Sequence, residues 1–211
     1  FTRMPKEKLA EVFKIALPAS FSNALNPLSV SFMNFLLAAF GDKFVAGFGV
    51  GVKIQFFILI PILALSAAVS PIIGQAGGAN NQARIDETLS KALRFSYSRI
   101  IIIAIPIFLI KEWLAIQFIP DLNDYSFTNS FLTLIPISLM GYAAVIINCA
   151  GLNALGRANT TLLLISLRTF ILFTPVAYLL KEFYGAYGII YAVALTNFIL
   201  IAITKKTDIE A

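Results

Sequence analysis

Six long apolar stretches, separated by short polar segments, organise this chain. Their limits are about Ile15–Phe40, Phe44–Ile73, Ala92–Ile110, Ser126–Ala150, Thr160–Leu180 and Gly185–Thr204. Crossing a bilayer core of roughly 30 Å takes about 20 apolar residues, so each stretch is long enough to span. The pattern predicts an all-α polytopic membrane protein with six transmembrane helices. Before the first span, residues 1–14 place Leu9, Val12 and Phe13 at helical spacing among Arg3, Lys6, Glu7, Lys8, Glu11 and Lys14. That reads as an amphipathic lead-in. It lacks the short apolar core and cleavage site of a signal peptide. Residues 205–211 form a polar tail.

The connections are equally legible. Gly41-Asp42-Lys43 is a tight turn, and residues 74–91 are polar, with Gly77-Gly78, Asn80-Asn81, Arg84, Asp86 and Glu87. Gly74 or Gly77 can stop the helix before them. Trp113 marks an interface, followed by a loop with Pro120, Asp121, Asn123 and Asp124. Pro18, Pro27, Pro61, Pro106, Pro136 and Pro175 put a proline in each of the first five spans, where it favours a kink.

Composition sharpens the picture. Apolar residues make up 59% of the 211, and all 11 carboxylates fall near span ends, so no span carries an Asp or Glu. Lys and Arg divide unevenly. Eleven lie on one side (Arg3, Lys6, Lys8, Lys14, Arg84, Lys91, Arg94, Arg99, Arg157, Lys205, Lys206) and three on the other (Lys43, Lys111, Lys181). By the positive-inside rule both termini are cytoplasmic and the protein is integral to the cell membrane. The net charge of +5 is scattered singly at span ends, which argues against nucleic acid as a partner. Histidine is absent, and the one cysteine, Cys149, lies in an apolar context that suits packing. An intramembrane enzyme finds no support: no membrane carboxylate and no nucleophile with a basic partner. Nor does Gly74–Gly78 end in the Lys-Ser/Thr of a phosphate loop.

A few polar groups within the spans are candidates for chemistry. On the first span, Asn26 lies about 60° and Asn34 about 20° from Asn23, at roughly 100° per residue. The three amides share an arc that either hydrogen-bonds neighbouring helices or lines a wet cavity. Lys53 and Gln55 lie roughly 12–15 Å from the outer end of the second span at 1.5 Å per residue. About 200° separates them, so both cannot face one cavity. Burying a lysine costs roughly 2.5–3.5 kcal/mol, which favours Lys53 as the functional member. Arg168, eight residues into the fifth span, can bind carbonyls at a broken helix, bind an anionic lipid, or line the cavity. Asn148 and Asn153 suit a helix terminus.

Several motifs resemble the multidrug and toxic compound extrusion (MATE) family. They are Pro71-Ile-Ile-Gly74-Gln75-Ala-Gly-Gly78-Ala79 at the end of the second span, Ala16-Leu17-Pro18-Ala19 opening the first, and Gly156-Arg157-Ala158 after the fourth. Lys53 resembles a basic residue frequent in the family's corresponding helix. The resemblance implies a carboxy-terminal six-helix lobe of a two-lobe transporter, with the lead-in joining the lobes. It implies exchange of Na⁺ or H⁺ for small amphipathic or cationic molecules by alternating access. The absence of a membrane carboxylate looks like the DinF-like branch, whose ion site lies in the first lobe, so the coupling cation is expected in that missing amino-terminal lobe and no other cofactor is implied. Asn23, Asn26, Asn34, Lys53 and Arg168 are then the expected substrate-cavity residues. Rival readings are a lipid-linked oligosaccharide or lipid flippase of the wider superfamily, a non-transporting scaffold, and a complete six-span transporter working as a dimer.

Overall fold

The computed structural model describes residues 6–118 and 125–204. Among these, every regular element is helical: α1 (Lys6–Ala38), α2 (Asp42–Gly78), α3 (Gln82–Phe118), α4 (Tyr125–Ala154), α5 (Ala158–Ser166), a π-helical segment (Leu167–Phe173), α6 (Thr174–Tyr184) and α7 (Ala186–Thr204). Among the described residues, four helices are long and apolar enough to cross a membrane: α2, α3, α4 from Ser126, and the continuous run Ala158–Tyr184. The apolar part of α7, Ala186–Ala202, is shorter. At 33 residues α1 has the length. Its three asparagines and four serines dilute the apolar run.

Large side chains face outward all around the bundle, among them Phe35, Phe57, Leu109 and Phe183, each at least 70% exposed. In water such a surface would aggregate; in hydrocarbon it is solvated.

The helices run further than the apolar stretches. α2 passes through Pro61 and Pro71 to Gly78, and α3 starts at Gln82, so only residues 79–81 turn. The expected polar connection of residues 74–91 is therefore mostly helix. Its charges suit an exposed helical face: Lys91 bonds Glu87 at 2.6 Å and Gln82 bonds Asp86 at 2.9 Å, both i,i+4 pairs. The Asn81 side chain accepts the Arg84 backbone N–H at 3.1 Å, an N-cap. Asn80 turns the chain with a positive φ of 51°. Residues 6–14 of the expected lead-in belong to α1 without a break. Arg3, the Asp121/Asp124 loop and the 205–211 tail with Lys205 and Lys206 lie outside the described residues.

α4 is the centre of the bundle. Of its apolar window 61% is buried, against 17–28% for the other three long helices. Phe127, Phe131, Ile135, Leu139 and Ile147 are buried along it. At one end an aromatic cluster forms, with Phe44 edge-on to Phe127 at 5.2 Å and Phe48 edge-on to Phe131 at 5.8 Å. Two glycines bring backbones close. A Cβ on Gly51 would strike the Phe131 ring, and one on Gly141 would strike the Asn197 carbonyl. Small residues at such crossings are how helices pack where the solvent is as apolar as the side chains.

At the other end sits the motif Pro71–Ala79. Gly74 approaches the Ala154 carbonyl at 3.6 Å from its Cβ position, and Gly77 leaves room for the Leu155 side chain. Ala79 closes α2 by donating its N–H to Gln75 O at 3.1 Å. Gly156 takes a positive φ of 76°, and Arg157 N–H returns to Leu152 O at 2.8 Å. Both motif segments thus meet where the α2 terminus packs on the α4–α5 turn.

Candidate functional site

A cavity of about 280 Å³ lies between α1, α2, α4, the π-helical segment and α7. Most of its wall is apolar. Its polar members are Asn26 and Ser29 from α1, Gln55 from α2, Tyr142 from α4, Arg168 from the π-helical segment and Asn197 from α7.

The polar members are linked. The Tyr142 hydroxyl donates to Asn26 Oδ1 at 3.1 Å. The Arg168 guanidinium lies over the Tyr142 ring, 4.1 Å from its centroid. That cation–π contact is worth about 2 kcal/mol when desolvated. Arg168 Nε is buried and has no hydrogen-bond partner. Asn197 donates its amide N–H to Ser138 Oγ at 3.2 Å, while its Oδ1 is buried without a partner. Ser29 and Thr169 hydroxyls stand 3.4 Å apart.

Local backbone explains the position of Arg168. Pro175 lies just after the π-helical turn and has no N–H to return to the preceding turn. A widened turn upstream accommodates the ring, and such turns displace side chains from their α-helical azimuth. Thr174 Oγ1 then bonds Thr169 O at 2.8 Å, five residues back. The proline so noted in sequence accounts for both the π-helical segment and the arginine at its start.

Of the expected cavity residues, Asn26 and Arg168 line this cavity. Asn23 and Lys53 are exposed, and Asn34 is half-buried with Oδ1 unpartnered. None of these three lines it. On α2 it is Gln55, not Lys53, that lines this cavity. The cavity face of α2 is set by Phe48, Val52, Gln55, Leu59 and Leu63 at helical spacing, and Lys53 points well away from it. Asn148 and Asn153 each leave a buried amide atom unpartnered rather than binding a helix end. Cys149 is buried, and its carbonyl accepts from Thr161 at 3.5 Å. Tyr142 and Asn197 escaped notice in the sequence. A lone Asn within the very apolar last span was a readable signal, because an amide in hydrocarbon needs a partner.

Among the described residues, no group of His, Cys, Asp or Glu could hold a metal ion. The cavity instead offers amides, hydroxyls and one guanidinium.

The MatE family model matches residues 18–179. A FAD transporter of Shewanella oneidensis is 29% identical over 186 residues, covering 88% of this chain and 41% of the relative. The multidrug export protein MepA of Staphylococcus aureus is 25% identical over 193 residues, covering 91% of this chain and 42% of the relative. A crystal structure of a mutant of the Vibrio cholerae MATE transporter VcmN superposes with a TM-score of 0.90 at 28% identity, over 95% of this chain and 46% of that one. This chain therefore spans less than half the length of the relatives it matches.

Proposed function

This chain belongs to the MatE family, a family of membrane transporters, and on that premise we propose that it is one six-helix lobe, the carboxy-terminal one, of a cation-coupled efflux antiporter. The observation that carries this reading is the coverage. A chain that superposes over 95% of its length on 46% of a solved transporter has the extent of one lobe. The second lobe faces it across a central cavity, and the two rock about that cavity to expose it alternately to each side. Na⁺ or H⁺ binds in the first lobe, as in the DinF-like branch, because no carboxylate lies within the spans of this one. Both termini of the chain are cytoplasmic. Substrates are small amphipathic molecules, in line with relatives whose names specify multidrug export and FAD transport. Asn23, Asn34 and Lys53, exposed or half-buried on α1 and α2, face the other lobe, whereas Asn26 and Arg168 line the pocket inside this one.

The test is efflux by the full-length protein in a host stripped of its own drug pumps, with a panel of cationic dyes such as ethidium and anionic dyes such as carboxyfluorescein. Extrusion that stops when ionophores collapse the Na⁺ or H⁺ gradient is the expected result. Extrusion that persists without either gradient contradicts cation coupling. Absence of extrusion across cationic and anionic dyes contradicts the efflux role.

A further inference from the structure

Arg168 places a positive charge in the wall of a mostly apolar cavity whose other polar members are neutral, and no acidic side chain lines it. All carboxylates of the sequence lie near the ends of the apolar stretches. The guanidinium is fully charged at any physiological pH, so deprotonation gives no relief. Carrying an arginine into a membrane interior is costly even on the mildest scales. The Tyr142 ring offsets only part of that cost. Nε is left with a buried N–H and nothing to receive it.

We infer that the cavity is a binding site for amphipathic organic anions, whose carboxylate or phosphate head is received by Arg168 and whose apolar body lies against Phe48, Leu59 and Phe131. This rests on the efflux reading and names its substrate class. Size agrees. About 280 Å³ is close to the lower bound of small-molecule pockets, enough for a bicyclic aromatic acid. Hydrogen-bond chemistry agrees as well. Besides the guanidinium, Asn26 and Gln55 bring side-chain amides, each able to donate, to the wall. The Tyr142 hydroxyl spends its proton on Asn26 Oδ1, which commits that oxygen and turns the Asn26 nitrogen toward other acceptors. The opposing groups are the unpartnered Asn197 Oδ1 and the amide and hydroxyl oxygens of Gln55, Ser29 and Tyr142. They are neutral acceptors, and a hydrogen bond to a charged group is worth roughly twice one between neutral groups, so Arg168 decides the sign. An organic cation in this cavity would meet an uncompensated guanidinium in a low-dielectric wall.

The experiment is isothermal calorimetry on the purified full-length transporter. Sodium 2-naphthoate is the anionic probe, 2-naphthylmethylammonium chloride the cation of matching shape, and sodium chloride the small-anion control. Binding at equilibrium requires no transport, so its result is independent of the efflux assay. Naphthoate should bind saturably, and the ammonium compound should not bind in competition with it. Arg168→Gln should weaken naphthoate at least about 10-fold, the loss of one charge-assisted interaction. Gln55→Glu, which sets a carboxylate in the same wall, should weaken it as strongly while leaving the arginine in place, and so serves if Arg168→Gln does not fold. Arg99→Gln, at an exposed arginine of α3, should change nothing. The inference is overturned by naphthoate binding that is equal in wild type and Gln55→Glu, or by an ammonium compound that binds as tightly as naphthoate. Chloride that displaces naphthoate at equal concentration would make this an inorganic-anion site and overturn the organic-anion assignment.

Discussion

Two sides of this bundle are built on opposite rules. The α2–α4 contact is dry and close-packed, with Gly51 against the Phe131 ring and the edge-to-face pairs Phe44–Phe127 and Phe48–Phe131 at one end. The side where α1 and the π-helical segment meet α4 and α7 is polar and incompletely satisfied. Asn34, Arg168, Asn148, Thr196 and Asn197 each have a buried polar atom without a partner, and the Ser29 and Thr169 hydroxyls meet at 3.4 Å. A membrane protein gains little from moving apolar groups from lipid to core, so packing must come from shape. The dry side spends its sequence on shape. The polar side gives up that gain and keeps groups that can bind something. The two regions share helices, since Gln55, Phe131, Tyr142 and Asn197 all line the cavity, so stability and binding should separate residue by residue.

The largest effect is expected at the closest contact. Gly141→Leu drives a side chain into the Asn197 backbone and should cost about 3 kcal/mol, read as a large fall in the melting temperature of the full-length protein in detergent. Phe131→Ala should follow at about 2–3 kcal/mol. That is below the usual cost for a buried aromatic, because in lipid the cavity term remains while much of the transfer term vanishes.

Arg168→Met should behave in the opposite sense. Removing the charge relieves about 2.5–3.5 kcal/mol and forfeits about 2 kcal/mol of cation–π contact, a net gain of about 1 kcal/mol. Stability that rises while naphthoate binding disappears would separate the two sides cleanly. A loss as large as that of Phe131→Ala would show that Arg168 belongs to the packing instead. At the turn between α2 and α3, Asn81→Ala removes the α3 cap and should cost about 1 kcal/mol. Smallest of all, Glu87→Gln breaks a solvent-exposed pair with Lys91 and should leave the melting temperature unchanged at physiological salt.

The dry side was the more legible in sequence. Long apolar runs located its helices within a few residues, and the Gly74–Ala79 and Gly156–Arg157 motifs marked the place where α2 meets the α4–α5 turn. Helix ends were less legible: residues 82–91 look like a loop by hydropathy but form helix, since paired i,i+4 charges carry a helix beyond the membrane. The polar side was read only in part. Asn26 and Arg168 were visible as polar groups in apolar runs and both line the cavity. Helical phase showed that Lys53 and Gln55 face apart, yet it could not say which way the α2 face turns, because that depends on packing against α4. Tyr142 was hidden by its ordinary place in an apolar run, and the π-helical turn by the fact that a proline signals strain without specifying how the backbone absorbs it.

The account's central claim is that this chain is one lobe of a two-lobe transporter, and the mass of the natural polypeptide in its native membrane tests it most directly. A product about twice this chain's 23.0 kDa is the predicted result. A product near 23 kDa that assembles with no second lobe, neither another polypeptide nor a second copy, would contradict it.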